Sequence, residues 1–266
     1  MEDLKLKQQL SELNEAYRNL SPELVKHATS ILEPYINDDR TSRIHQVLSK
    51  RTKSVKFLFE NPSNPSNVWA CLRTIDSFGV QNVDIVMESS TYTGGKQATL
   101  QKRGMRTAMG SAQWLTLTQH SSTKEAIEQL KNKEGYKIYA TDVNPESRDI
   151  RDVDFSENEK ICIVMGNEER GISDEMRSLA DETFYLPMVG FAESFNLSVA
   201  TSITLAHLSA KSSHSKTGPL KSGNLSTHEF NCLYLKGLLQ SLPQKKMGPA
   251  LLRREGIKLP DCIHNL

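Results

Sequence analysis

From Val55 onward the chain alternates short apolar runs with longer amphipathic segments. Val55–Phe59, Val83–Met87, Leu115–Thr118, Lys137–Thr141, Ile161–Met165 and Thr183–Leu186 have the length and the branched or aromatic content of strands. Between them, Asn67–Phe78, Thr123–Lys133, Asp174–Ala180 and Asn196–Ala210 carry apolar residues at helical spacing. This order predicts an α/β fold: a mostly parallel sheet flanked by helices, with ligand sites at the carboxyl ends of its strands. The flanks follow a different pattern. Residues 3 to about 50 read as helices, with Leu10, Leu13, Tyr17 and Leu20 at helical spacing and Ser21-Pro22-Glu23 as a restart signal. A third segment, Ser42 to Arg51, sets Ile44, Val47 and Leu48 apart from Arg43, Lys50 and Arg51. That basic side suits either contact with a phosphate backbone or plain solvation. A Ser- and Gly-rich stretch then precedes two helices, Thr227–Leu239 and Gln244–Arg254. The expected organisation is a helical extension at 1–52, the α/β domain at 53–212, a flexible linker at 213–225 and a second helical extension at 226–266.

Composition changes this picture little. At 266 residues, with 37% hydrophobic and 24% charged residues, the chain can bury a sizeable core. A net charge of +1 gives no global attraction to nucleic acid, so any such contact rests on local basic patches. Cys71, Cys162, Cys232 and Cys262 have no paired spacing, which argues against a disulfide framework or a zinc site and fits a reducing compartment. No secretory leader or membrane-length apolar run is evident, and the expectation is a soluble, cytoplasmic protein with no membrane partner.

Three separated segments carry candidate chemistry. The first, Asn61-Pro-Ser-Asn-Pro-Ser-Asn67, follows a strand and opens a helix, and its prolines stiffen the turn. Asn67 is well placed to cap that helix. Arg73 sits among Val68, Ala70, Cys71, Leu72 and Ile75, so it either pairs with Asp76 or Glu168 or reaches a ligand phosphate. The second segment, Gly166-Asn-Glu-Glu-Arg-Gly171, follows the strand ending at Met165. Gly166 there permits close backbone approach, and Glu168 lies at the crest. The third runs from Leu186-Pro-Met188 to Ser194-Phe-Asn-Leu-Ser198, where a serine–asparagine helix start offers donors to a polar ligand. Each segment alone is weak, since turns and caps look alike.

Together, in this order and spacing, they resemble the SpoU (TrmH) family of the SPOUT RNA methyltransferases, and within it the enzymes that methylate the D-loop guanosine of tRNA. Asn67, Ala70 and Arg73 match the first family motif, Val164–Gly171 the second, and Leu186–Met188 with Ser194–Ala200 the third. The likeness spans most of the chain, including the terminal Arg253-Arg-Glu-Gly-Ile-Lys-Leu-Pro260. The resemblance implies a deep trefoil knot in the carboxyl-terminal part of the sheet and a homodimer. It also implies S-adenosylmethionine as cofactor, held by Thr141, Gly166, Leu186, Met188, Ser194 and Phe195. Asn67, Arg73, Glu168, Ser194 and Asn196 become the expected catalytic group. The implied partner is tRNA rather than DNA, gripped by Arg43, Lys50, Arg51, Lys102, Arg103, Arg106, Lys211, Lys245, Lys246, Arg253 and Arg254. Two departures stand out: Phe195 replaces a leucine, and Lys211 is the only cation where relatives carry arginines. The competing readings are ribose methylation of another RNA, such as ribosomal RNA, and a non-catalytic RNA-binding protein of the same fold.

Overall fold

The computed structural model describes residues 12–63, 65–88, 110–155, 160–213, 219–244 and 246–264. Contacts divide the chain into two units, Thr52–Lys221 and the combined ends Met1–Arg51 with Ser222–Leu266.

The first unit is built on seven strands: β1 (Thr52–Glu60), β2 (Val80–Val86), β3 (Thr116–His120), β4 (Tyr136–Thr141), β5 (Arg148–Asp149), β6 (Lys160–Met165) and β7 (Glu182–Tyr185). They lie in the order β3-β2-β1-β6-β4-β7-β5, and every pairing is parallel. A parallel sheet covered on both faces favours unbroken apolar strands, and Ile161–Met165 is buried throughout. β5 escapes the sequence pattern because its two residues, Arg148 and Asp149, are polar and only extend the edge beside β7.

Helices cover both faces. α5 (Thr123–Ile127, continuing as a π-helical stretch Glu128–Lys133) and α6 (Asp174–Leu179) pack on Leu58, Val86, Ile138 and Val164. Side chains alternate along a strand, so Tyr139 points to the opposite face. There Phe155 lies between Tyr139 and His207 of α7 (Leu197–Ser213). α4 (Pro65–Ser77) packs against α7 through small polar contacts, Thr201 Oγ1 to Cys71 Sγ at 3.4 Å and Ser202 Oγ to Thr74 Oγ1 at 3.5 Å. Hydroxyl and thiol side chains keep this helix seam thin.

In the second unit a helix at 12–18 (α1), α2 (Pro22–Leu32), α3 (Asp38–Leu48), α8 (Thr227–Ser241), α9 (Met247–Arg254) and α10 (Asp261–His264) share one core. Leu13, Tyr17 and Leu32 from one end of the chain meet Leu235, Leu238 and Leu252 from the other. Each end offers helices with one apolar stripe, and the two ends bury those stripes together. Ser21 caps α2 through its hydroxyl, and Pro22 opens the helix. α3 begins earlier than the expected Ser42, because Asn37 caps it by accepting from Asp39 N at 2.7 Å. Among the described residues no helix is long and apolar enough to cross a membrane.

Candidate active site

β1, β6, β4 and β7 are neighbours, so the segments leaving their carboxyl ends emerge side by side. The chain leaves β1 at Glu60, and Asn61 takes a left-handed φ of 44°. Asparagine tolerates that conformation because its short amide bonds locally. Here Asn61 Oδ1 accepts from Glu88 N at 2.9 Å, and its carbonyl accepts from Asn167 Nδ2 at 2.6 Å. The first and second segments are thereby stitched together at their roots.

α4 starts at Pro65, which suits the first helical position. Asn67 therefore lies inside the first turn, and the cap expected of it from sequence is not its role. Its amide is free to reach across: Asn67 Nδ2 donates to Glu168 Oε1 at 2.9 Å. Glu168 Oε2 accepts from Ser63 N at 2.8 Å and Ser63 Oγ at 2.7 Å. Partial burial works against ionisation of Glu168, yet the bonds from Asn67 and Ser63 outweigh it and hold the carboxyl below its ordinary value. The acid is thus an ionised acceptor with three protein donors.

Asn196 caps α7, its Oδ1 accepting from Ser198 N at 2.9 Å and Ser198 Oγ at 2.7 Å. Its Nδ2 points at Asn67 Oδ1 over a long 3.5 Å contact. Side chains from all three segments therefore form one chain, Ser63–Glu168–Asn67–Asn196, on neighbouring strand ends.

Arg73 lies outside that chain. It sits six residues beyond Asn67, about 9 Å further along the α4 axis. Its side chain is exposed and forms no ion pair with a described residue. Glu168, one of the partners considered for it, is occupied elsewhere. Ser194 is also exposed and makes no hydrogen bond to a described residue.

Three of the expected cofactor residues, Thr141, Gly166 and Leu186, stand at or just beyond the ends of neighbouring strands. Thr141 pairs with Phe184 and follows Ala140, which pairs with Val164. The ends of β4, β6 and β7 thus bring Thr141, Gly166 and Leu186 to one edge. Thr141 Oγ1 donates to Val164 O at 3.0 Å. Gly166 is required for a reason the sequence did not reveal. A Cβ there would sit 2.4 Å from Gly171 C and 2.6 Å from Ile172 N. The space it leaves is taken by the returning loop, closed by Asn167 N to Gly171 O at 2.8 Å and the reverse bond at 2.9 Å. Leu186 and Met188 are half-buried, while Phe195 is 38% exposed beside Asn196.

Of the candidate RNA contacts, Arg43, Lys50, Lys246, Arg253 and Arg254 are exposed. Arg51 is only 2% exposed, and its carbonyl accepts from Gly223 N and Asn224 N. That burial removes it from the surface set. Lys211 donates to Val153 O at 2.7 Å and lies over the Phe155 ring, so its ammonium is engaged at home. Lys102, Arg103, Arg106 and Lys245 lie outside the described residues.

Sequence reasoning assigned no role to Ser63, Asn61 or Asn167. An asparagine directly after β1 and another two residues after β6 were the available signal for the stitch. Ser63 gave none, because only the fold brings it to residue 168.

The sequence profile of the SpoU rRNA Methylase family covers residues 54–206. A tRNA (guanosine(18)-2'-O)-methyltransferase of Borreliella burgdorferi is 33% identical over 178 residues, 67% of this chain and 76% of that protein. An enzyme of the same name from Thermus thermophilus is 35% identical over 166 residues, 62% of this chain and 79% of its own length. Among solved structures, the A. aeolicus TrmH/SpoU tRNA modifying enzyme superposes with a TM-score of 0.64 at 26% identity, over 78% of this chain and 98% of that one.

Proposed function

The chain belongs to the SpoU rRNA methylase family, and from that membership we propose that it methylates the ribose 2'-hydroxyl of the D-loop guanosine at position 18 of tRNA, using S-adenosylmethionine. The observation that carries the reading is the hydrogen-bonded chain Ser63–Glu168–Asn67–Asn196, which joins all three motif segments at the carboxyl edge of the sheet. The names of the Borreliella burgdorferi and Thermus thermophilus relatives support tRNA as the substrate.

S-adenosylmethionine supplies an electrophilic methyl group on a sulfonium. Thr141, Gly166, Leu186, Met188, Ser194 and Phe195 are the residues to hold it. The part-exposed Phe195 and the half-buried Leu186 and Met188 suit a flat aromatic base with a polar tail. A ribose hydroxyl is a poor nucleophile at neutral pH, so the protein must supply alignment and an outlet for the proton.

Glu168 is unsuited to be the base, because three donors stabilise its charged form. Its part is to fix the Asn67 amide, which turns Asn67 Oδ1 toward Asn196. A guanidinium offers hydrogen-bond donors and no acceptor, so Arg73 is not the base. Its exposed guanidinium instead clamps the phosphate beside the target ribose, bringing a phosphate oxygen close as acceptor. Arg43, Lys50, Lys246, Arg253 and Arg254 contribute sequence-independent phosphate contacts. The same reading includes the trefoil knot and a homodimer. Fully exposed Val189 and Phe191 and the exposed Val199 support a partner surface.

Incubation with labelled S-adenosylmethionine and unmodified tRNA, followed by nuclease mapping, tests the proposal. Label on the D-loop guanosine ribose is the expected result. Label confined to ribosomal RNA overturns the substrate, and transfer to no RNA overturns the chemistry.

A further inference from the structure

Glu60 ends β1, is 2% exposed, and belongs to none of the motif segments. A carboxylate this deeply buried is costly unless its oxygens are bonded. Here both are. Oε1 accepts from Thr123 Oγ1 at 2.7 Å and Ser173 Oγ at 2.6 Å, and Oε2 accepts from Ser173 N at 2.9 Å.

The location of these donors gives the carboxylate its meaning. Ser173 stands two residues after Gly171, where the Glu168 loop ends, and it caps α6. Glu60 stands directly before Asn61 and three residues before Ser63. The two segments that meet at Glu168 are therefore held together a second time beneath it, Asn61 O to Asn167 Nδ2 being the first tie.

We propose that Glu60 is a positioning residue for methyl transfer: a buried strut that sets the Gly166–Gly171 loop against the Asn61–Asn67 segment, and so fixes where the Glu168 carboxylate meets Ser63 and Asn67. Glu60 touches neither RNA nor methyl donor. The kinetic part of this inference rests on the methyltransferase reading, while its geometric part does not.

The test compares the full-length wild type with Glu60→Gln, which keeps size but turns an amide donor toward one of three existing donors. Turnover should fall about tenfold or more while KM for tRNA and for S-adenosylmethionine stays within about threefold. In a Ser63→Ala background the same substitution should cost clearly less, because both act through the placement of Glu168. Hydrogen exchange supplies a readout independent of activity: the Asn167 and Gly171 amides should exchange faster in Glu60→Gln, with the Ile161–Met165 amides unchanged. Should Glu60→Gln fail to fold, Ser173→Ala removes one donor and should show the same pattern in weaker form. Wild-type turnover in either folded variant, full multiplication of the two effects, or unchanged Asn167 and Gly171 exchange overturns the strut. If the wild type methylates no RNA, the function reading falls, and the exchange measurement alone decides the strut.

Discussion

Lys236 lies on α8, 2% exposed, in the apolar core shared by the two ends of the chain. The only hydrogen bond its ammonium makes to a described residue is to Asn14 Oδ1 at 3.2 Å. Burial pushes the ammonium down from 10.5 to about 8. One pKa unit is worth 1.36 kcal/mol, so the buried charge costs the folded state about 3 kcal/mol near neutral pH. The direction follows from proton counting. Below pH 8 both states bind the proton and the full cost applies. Between the folded value and 10.5 the unfolded chain binds more protons than the native one, so stability rises with pH. Lys236→Met keeps the length and removes the charge. Allowing about 1 kcal/mol for the lost Asn14 bond, the variant should be about 2 kcal/mol more stable than wild type at pH 7. That advantage should shrink to near zero by about pH 9.5 as the wild-type lysine sheds its proton. Urea denaturation followed by helical circular dichroism at both pH values measures the difference. Trp69 and Trp114 both lie in the sheet unit, so their fluorescence is an internal control. A variant less stable than wild type at pH 7, or an advantage that does not change with pH, would refute the reasoning.

Arg73→Ala should abolish turnover while S-adenosylmethionine affinity, measured by calorimetry, is retained; loss of cofactor binding would count against the phosphate clamp. Gly166→Ala drives a Cβ into the Gly171 backbone and should cost about 3 kcal/mol in a denaturant titration, because backbone cannot give way as a side chain can. The depressed Glu168 pKa makes its bonds a source of stability above its ordinary value of 4.5, lost as pH falls through the lower folded value. Acid titration of Glu168→Gln should lack that part of the wild-type transition, and an identical acid limb would contradict the bonding. Raising salt should weaken tRNA binding steeply, and replacing Lys246, Arg253 and Arg254 with alanine should flatten the slope of log affinity against log salt.

Much of the molecule was legible in the residue pattern. Strand and helix periods, the punctuating glycines and prolines and the order of three polar segments were enough for a parallel α/β sheet with a candidate site at its strand ends. Those signals are local: a strand's apolar run or a proline at a helix start expresses its meaning within a few residues. Long-range partners were not legible. Asn67 reads as a cap in sequence, yet α4 begins two residues earlier and frees its amide for Glu168, more than a hundred residues away. Gly166 reads as room for a ligand, while its missing Cβ is filled by the Gly171 backbone. Arg51 reads as a surface cation and is interior. The two helical ends read as separate extensions and share one core, because an amphipathic stripe declares that it needs a partner without naming which. Sequence alone singled out three segments as candidates for the chemistry. Only the tertiary structure decided which side chains meet, since hydrogen bonds such as Ser63–Glu168 and Glu60–Ser173 depend on strand order, and strand order leaves no mark on the residues it brings together.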